Sequence, residues 1–281
     1  MQQLLNGIML GSVYSIVALG LTLVYGTLHI PNFAHGNFFM FGAYLTFVLV
    51  SIYGINYWVA ILGAAAMLGI MGAASERVFR PLRGTPEVNY FIAAIGLLMV
   101  LEGSAHLVFG PDSRQFPPIN NDLIQLMGAT ITLQRLIVIG STVLLIIGLH
   151  IFMKKTVLGA TIEALAQDRE GALLVGINVN RTSIFTFALA TALAACAAGL
   201  IAPISWVYPT MGHAVNLKAF VIVIIGGMGS IPGAVISGYL LGVFETMVAG
   251  YVSANYEPLF AFGALVVVLA IKPTGLFGRS S

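Results

Sequence analysis

Long apolar runs alternate with short polar segments along the whole chain, and this pattern decides the fold class. Each run is long enough to cross about 30 Å of hydrocarbon as an α-helix. The runs lie at 4–25, 37–53, 58–74, 89–109, 134–152, 184–207, 231–250 and 256–271. They are continuous rather than alternating in polarity, which disfavours a membrane β-barrel. We therefore predict an all-α polytopic membrane protein with about eight transmembrane helices, forming one transmembrane domain over 1–281.

The distribution of cations predicts which loops face the cytoplasm, because cytoplasmic loops carry an excess of lysine and arginine. Three regions hold most of them: Arg77, Arg80 and Arg83; Lys154, Lys155, Arg169 and Arg181; and Lys272 and Arg279. Only three apolar runs separate Arg181 from Lys272, whereas parity requires an even number of crossings. We therefore predict a broken or re-entrant segment near 218–250. The side of the amino terminus stays open.

Glycines and a proline interrupt that segment after a half-length apolar run. They are Gly226, Gly227, Gly229, Pro232 and Gly233. Irregular backbone at membrane depth needs protein or a water-filled cavity to satisfy its polar groups, and broken helices often line transport pathways. A glycine-packed helix contact explains the pattern equally well. The run lacks the Lys and Ser/Thr of a phosphate-binding loop, so no nucleotide site is expected in this chain.

A second polar cluster lies between the first two apolar runs. It contains His29, Pro31, Asn32, His35, Gly36 and Asn37. Asn32, His35 and Asn37 are candidate contacts of a translocated solute, while an ordinary turn at the membrane interface is the interpretation that the pattern favours.

Ionisable residues within apolar runs are costly and often functional. Glu102 and His106 stand four apart, a spacing at which helical side chains meet, and Glu245 lies in a later run. A secondary carrier or channel for a small polar solute could use these groups, and this is the competing function class. Lys218 opens the half-length run and is interpreted as a marker of the outer interface.

Residues 158–181 form the one long polar stretch with helical periodicity. One face would hold Leu158, Ile162, Leu165, Leu173 and Ile177, and the other Glu163, Gln167, Asp168, Arg169 and Glu170. We predict an amphipathic cytoplasmic helix that ends at a Gly-Ile-Asn sequence. Its polar face is acidic as well as basic, unlike that of membrane-surface helices. Docking into the groove of a protein partner therefore fits better.

The composition of the chain restricts which classes of protein, partner and site are expected. The chain is 59% hydrophobic and 8% charged, with a net charge of +2, so an integral membrane protein is expected and nucleic acid is not an expected partner. The amino terminus has no basic residue before Arg77, which favours a retained span over a cleaved signal peptide. Cys196 is expected to pack as a small hydrophobe. No HExxH, GxSxG or CxxC motif is present, so the chain is not expected to be an enzyme or to bind a metal.

The segment ALAQDREGALLVGINVNR resembles the coupling loop of bacterial ABC-importer permeases, with Glu170, Ala172 and Gly176 at the spacing E-x-A-x-x-x-G. Gly171 replaces the usual alanine, and the downstream Ile-x-Leu-Pro is absent. Both departures point from maltose-type importers towards the branched-chain amino-acid permease family. GLTLVYGTLHIPNFAHGNFFMFGAY, GINVNRTSIFTFALATALAACAAGLI and IGGMGSIPGAVISGYLLGVFE resemble the same family, and most of all its H-type subunits for leucine, isoleucine and valine.

This resemblance implies a complex in the bacterial inner membrane. Its other members would be a second homologous permease, two cytoplasmic ATPase subunits that hold ATP and Mg²⁺, and an extracytoplasmic solute-binding protein, with no cofactor in this chain. The coupling loop, about 156–183, would dock through Asp168, Arg169, Glu170, Gly171, Ala172, Gly176 and Asn178. The pathway would run beside Asn32, His35, Asn37, Gly226, Gly227, Gly229 and Pro232. The substrate stays open among branched-chain amino acids, other amino acids, urea and short amides.

Overall fold

The computed structural model describes residues 1–28, 31–116, 119, 122–126 and 129–278; His29 and Arg279 lie outside these ranges. The helices are α1 (Gln2–Leu28), α2 (His35–Phe47), α3 (Tyr57–Phe79), α4 (Glu87–Phe109), α5 (Leu133–Lys155), α6 (Val157–Gln167), α7 (Arg169–Leu174), α8 (Val179–Ile201), α9 (Met211–Gly226), α10 (Ile231–Val248) and α11 (Glu257–Ile271). π-Helical turns at Val48–Ile52 and Ala249–Ser253 and 3-10 turns at Arg80–Leu82 and Ala254–Tyr256 extend or join them. Short strands occupy loops: β1 (Arg114–Gln115), β2 (Leu123–Leu126), β3 (Ala129–Thr132) and β4 (Trp206–Val207), paired antiparallel as β1–β4 and β2–β3.

The predicted polytopic helical fold is confirmed. Seven stretches of the described chain are long and apolar enough to cross a membrane: Gln2–Leu28, His35–Ile52, Tyr57–Leu82, Glu87–Phe109, Leu133–Lys155, Val179–Ile201 and Ile231–Ile271. The last spans 41 residues and would be about 60 Å long if straight. The turns at 249–256 fold it into α10 and α11, which restores the eight predicted runs. The sixth run ends at Ile201, earlier than predicted.

The basic segments collect on one side of the bundle, as predicted. Arg83, between α3 and α4, hydrogen-bonds Asn180 in the first turn of α8. Lys154, at the end of α5, lines the same cavity as Phe277 of the carboxyl-terminal tail. We call this the basic side and the opposite one the far side.

The amino terminus lies on the far side. Gln2 donates a hydrogen bond to the Thr130 carbonyl oxygen at 2.9 Å, and Thr130 belongs to the strand just before α5. Because α5 ends on the basic side, its start and the Gln2 end of α1 lie at the opposite end of the bundle.

The irregular segment predicted by parity is α9. This helix of 16 residues spans about 24 Å and supplies the fourth crossing between Arg181 and Lys272. The break itself lies elsewhere than predicted. The glycine turn Gly226–Gly233 joins α9 to α10 at the basic side rather than at membrane depth, because Gly227 (φ 93°) and Gly229 (φ 84°) allow a tight reversal.

Helix α1 lies at the centre of the bundle and packs against α10 and α8. Close approach to α10 depends on small residues, because a Cβ on Gly11 would lie 2.7 Å from the Cα of Tyr239. Cys196 is buried within α8 and unpaired, in keeping with its predicted role as a packing residue.

Candidate functional site: a capped cytoplasmic segment and a polar node

The predicted amphipathic helix is two helices, α6 and α7, which meet at Asp168. Its Oδ1 accepts a hydrogen bond from the Glu170 backbone N–H at 2.9 Å and so caps α7. Thr156 caps α6 by accepting from Gly159 N–H at 3.0 Å, and Asn178 caps α8 by accepting from Arg181 N–H at 3.1 Å. Side-chain caps satisfy the free backbone amides at helix starts. The helical stretch is therefore interrupted at Asp168 as well as at Asn178.

The inner face of this segment also differs from the prediction. Leu165, Ala172 and Val179 form a small buried cluster, whereas Leu158 and Leu173 are exposed. The cap at Asp168 restarts the helix, so the periodicity of α6 does not continue into α7. Ala172 takes the inward position that spacing alone assigns to Leu173.

The outer face of α7 carries an exposed apolar ridge. Leu173, Leu174 and Val175 are 53%, 90% and 77% exposed. Asp168, Arg169 and Glu170 are exposed beside it. Three consecutive apolar side chains on a polar surface, flanked by charges, are typical of a protein-binding site.

Two glycines in this segment have specific backbone roles. A Cβ on Gly171 would lie 2.5 Å from the Asp168 Oδ2 and would disturb the cap. Gly176 has a φ of 83°, a conformation that favours glycine, and it ends the α7 turn through a hydrogen bond from its N–H to the Leu173 carbonyl oxygen at 3.1 Å.

A charged network ties the coupling segment to α3, and sequence reasoning missed it. The buried Glu76 carboxylate pairs with Arg80 at 2.9 Å and with Arg83, and Arg83 also bonds the Asn180 amide oxygen. Burial lowers the pKa of Arg83 from its usual value, while the Glu76 carboxylate opposes this shift. Glu76 and Arg80 stand at helical spacing, but Arg83 and Asn180 lie 97 positions apart, so spacing could not reveal the link to α8.

The early polar cluster forms a buried node halfway through the bundle, and the interfacial-turn interpretation is wrong. His35 Nε2 donates to the Val17 carbonyl oxygen at 3.1 Å, near the middle of α1. Asn37 Nδ2 donates to the Leu98 carbonyl oxygen at 2.8 Å, near the middle of α4. Helix α2 therefore begins at mid-depth. His35 Nδ1 and Asn32 Nδ2 are buried without a hydrogen-bond partner among the described residues.

Asn216 of α9 completes this node and was not identified from the sequence. Its Oδ1 accepts from the Gly36 N–H at 3.3 Å, and its Nδ2 donates to the Phe33 carbonyl oxygen at 2.8 Å. A Cβ on Gly212 would lie 2.7 Å from the Gly36 carbonyl oxygen. The N-terminal turns of α2 and α9 thus cross in contact. The only indication of Asn216 in the sequence was an isolated amide side chain within an apolar run.

The glycine turn is separate from this node. Gly229 and Pro232 line a cavity of about 530 Å³ on the basic side, together with Glu163 and Gln167 of α6. The N–H groups of Leu276 and Phe277 in the tail donate to the Ile225 and Gly226 carbonyl oxygens at 2.7 and 3.1 Å, and the tail packs on Gly227. The structure therefore brings the turn to the coupling segment, not to Asn32, His35 and Asn37.

The ionisable residues of the spans pair differently from the prediction. Glu102 bonds His213 of α9 at 2.7 Å, not His106, because His106 lies on the exposed outer face of α4. Glu245 accepts from Tyr14 at 2.7 Å and from Lys218 at 2.9 Å. Lys218 also pairs with Glu257. It therefore lies inside an ionic cluster between helices, next to the far-side start of α11 at Glu257.

Comparison with known proteins agrees with this architecture. A family described as "Branched-chain amino acid transport system / permease component" matches residues 3–269. The high-affinity branched-chain amino acid transport system permease protein LivH of Salmonella typhimurium is 34% identical, over 99% of this chain and 96% of its own. BraD of Pseudomonas aeruginosa, which carries the same description, is 35% identical with the same coverage.

A solved structure shares the fold alone. PsaBC from Streptococcus pneumoniae in complex with Fab superposes with a TM-score of 0.53 at 15% identity, covering 98% of this chain and 93% of that one. The family match spans almost all the helices described above. The chain therefore belongs to the family of branched-chain amino acid transport system permease components.

Proposed function

We propose that this permease component works in an ATP-driven importer of the bacterial inner membrane and translocates branched-chain or related amino acids. Its partners would be a second homologous permease, two cytoplasmic ATPase subunits that bind ATP and Mg²⁺, and an extracytoplasmic solute-binding protein. The substrate class follows the descriptions of the relatives. The observation that carries the proposal is the exposed apolar ridge of α7 on the basic side.

The ridge suits a contact that transmits force. Leu174 points outward, whereas Ala172 anchors the same short helix to Leu165 and Val179. Helix α6 packs against α1, α5 and α8. A partner that moves α7 would therefore displace a rigid element joined to three spans, as a lever between packed bodies requires.

The polar node supplies the pathway in this proposal. The starts of α2 and α9 meet at mid-depth, and a helix N-terminus carries a partial positive charge. Asn32, His35 and Asn37 lie there together with Asn216. An amino-acid carboxylate passing this level would find amide donors and two helix starts, the arrangement that many transporters use at the bilayer midplane.

The test is co-purification of the chain with its ATPase and second-permease subunits. We compare wild type with Glu170→Lys and Leu174→Glu, which change the ridge, and with Asp112→Lys, an exposed charge reversal in a loop on the far side. A complex that survives Asp112→Lys and is lost in both ridge variants supports coupling through α7. A chain that purifies alone and transports in vesicles without ATP contradicts the proposal and favours an autonomous carrier built on Glu102, His106 and Glu245.

A further inference from the structure

The hydrogen-bonded pair of Glu102 (α4) and His213 (α9) is exposed on the surface of this chain. The carboxylate Oε2 accepts from the Nε2–H of His213 at 2.7 Å, and the side chains are 21% and 47% exposed. The other ionic contacts between spans converge on Lys218, and their side chains are 0–24% exposed. Within the described residues, Glu102–His213 is therefore the more open of the two charged groups.

The depth of this pair argues against contact with lipid hydrocarbon. Glu102 precedes Phe109, the far end of α4, by seven residues, or about 10 Å along the helix. Charged side chains at such depth face protein or a water-filled cavity, because their transfer into hydrocarbon is costly. We therefore expect the polar ends of Glu102 and His213 to face protein or water rather than hydrocarbon.

The local structure points to a polar passage rather than a packed contact. Helix α9 begins two residues before His213, and its N-cap Thr210 supplies no side-chain hydrogen bond. The partial positive charge of this helix start is therefore uncompensated by a cap. The same turn carries Gly212 and Asn216 of the polar node on its inner face.

We propose that Glu102 and His213 form a transit site for a zwitterionic α-amino acid with an apolar side chain. The inference rests on the function proposed above and names the groups that recognise the substrate. The substrate ammonium would pair with the Glu102 carboxylate, and its carboxylate would accept from the His213 ring N–H beside the start of α9. The hydrogen bond between Glu102 and His213 is then exchanged for two contacts with the substrate, so the Glu102 carboxylate keeps a partner before and during transit.

The surroundings of the pair suit a hydrocarbon side chain. Met99 lies one turn before Glu102 on α4, and Leu217 lies one turn after His213 on α9, so each shares a helix face with the charged residue. Both are exposed, at 67% and 49%. A substrate held by its charged groups would therefore find apolar surface along the same two helix faces.

The experiment uses the complete complex in proteoliposomes with leucine-loaded binding protein, and it measures leucine uptake and ATP hydrolysis in parallel. For Glu102→Gln we expect uptake to fall about ten-fold or more, because a charge-assisted contact is lost, while ATP hydrolysis stays within about two-fold of wild type. Glu102→Asp should keep more uptake than Glu102→Gln. The matched control is His106→Asn, one turn further along the exposed face of α4, which should leave both rates unchanged.

A second measurement tests the transit site if the Glu102→Gln complex does not assemble. Leu217→Cys in a Cys196→Ala background should react with a membrane-impermeant thiol reagent in the intact complex, and leucine transport should slow the reaction. Leu144→Cys, at an exposed position in the middle of α5, should not react. Wild-type uptake in Glu102→Gln, or an unreactive Leu217→Cys, overturns the transit site alone. A wild-type complex without ATP-dependent uptake overturns the proposed function together with it.

Discussion

Asp168 determines whether α7 exists as a helix when no partner is bound. The helix has six residues, too few to persist in water by intrinsic propensity, and its first turn is held by the 2.9 Å hydrogen bond from Glu170 N–H to the Asp168 carboxylate. Replacing a capping residue with alanine costs about 1 kcal/mol. Because 1.4 kcal/mol is a factor of ten, Asp168→Ala should shift the equilibrium between the ordered and disordered forms of α7 about five-fold towards the disordered form.

The assay is titration of the ATPase subunit against the permease pair in nanodiscs. If binding selects the ordered helix, the Kd should rise by up to about five-fold in Asp168→Ala, and by the full factor when the ordered form is the minor one. Asp168→Asn should change it by less than about two-fold, since an asparagine oxygen caps about as well as a carboxylate. Asp112→Ala, in the loop on the far side, is the control for surface charge and should have no effect.

The comparison of alanine with asparagine separates two explanations. Asp168 makes no ion pair with another described residue of this chain. If Asp168→Asn weakens binding as much as Asp168→Ala, the carboxylate acts through its charge on the partner, and the capping argument is refuted. Unchanged binding in both variants would show that α7 does not limit the contact.

Three further predictions test the packing around the coupling segment and the core. Gly11→Ala should destabilise the complex by about 1–3 kcal/mol in detergent unfolding, because the added Cβ would lie 2.7 Å from the backbone of α10. Gly263→Ala is the control and should be neutral, because a Cβ added there would meet no neighbouring element within 4 Å. Glu76→Gln should cost about 3 kcal/mol by leaving Arg83 without its buried carboxylate, and an unchanged melting temperature would contradict this. Gly176→Ala should destabilise the turn after α7 by about 1–2 kcal/mol because Gly176 has a positive φ, and Gly176→Asn should destabilise it less. The measurement is how far each variant stimulates ATP hydrolysis by the ATPase subunits.

The spans could be predicted from the sequence because length and hydropathy alone decide them. The need for an even number of crossings between Arg181 and Lys272 predicted one more crossing than the long apolar runs supply, and α9 is that crossing. Helix breaks were harder, because glycine at 226–233 signals a reversal without saying at which depth it occurs. The break at Asp168 had a local signal, an aspartate followed by free amides, but the apolar spacing on both sides concealed it.

Partners between distant segments could not be predicted. Glu102 has a histidine at helical spacing, yet the fold gives it His213, 111 positions away. His35 lies at mid-depth only because α1 offers the Val17 carbonyl oxygen there. Such pairs depend on which helices become neighbours, and one sequence contains no periodicity that records this. The candidate residues within 156–183 could be chosen from the sequence because the pattern that indicates them is local.

The central position of α1 has a consequence for biosynthesis. This helix is made before its neighbours α8 and α10, which begin only at Val179 and Ile231. Proteins are built from the amino terminus, so Tyr14 is in place before Glu245 of α10 is made to accept its hydrogen bond. Ser12 and Ser15 already donate to the Ile8 and Gly11 carbonyl oxygens within α1. A nascent chain stopped before α10 would therefore leave the Tyr14 hydroxyl without the Glu245 carboxylate that accepts its hydrogen bond in the folded bundle.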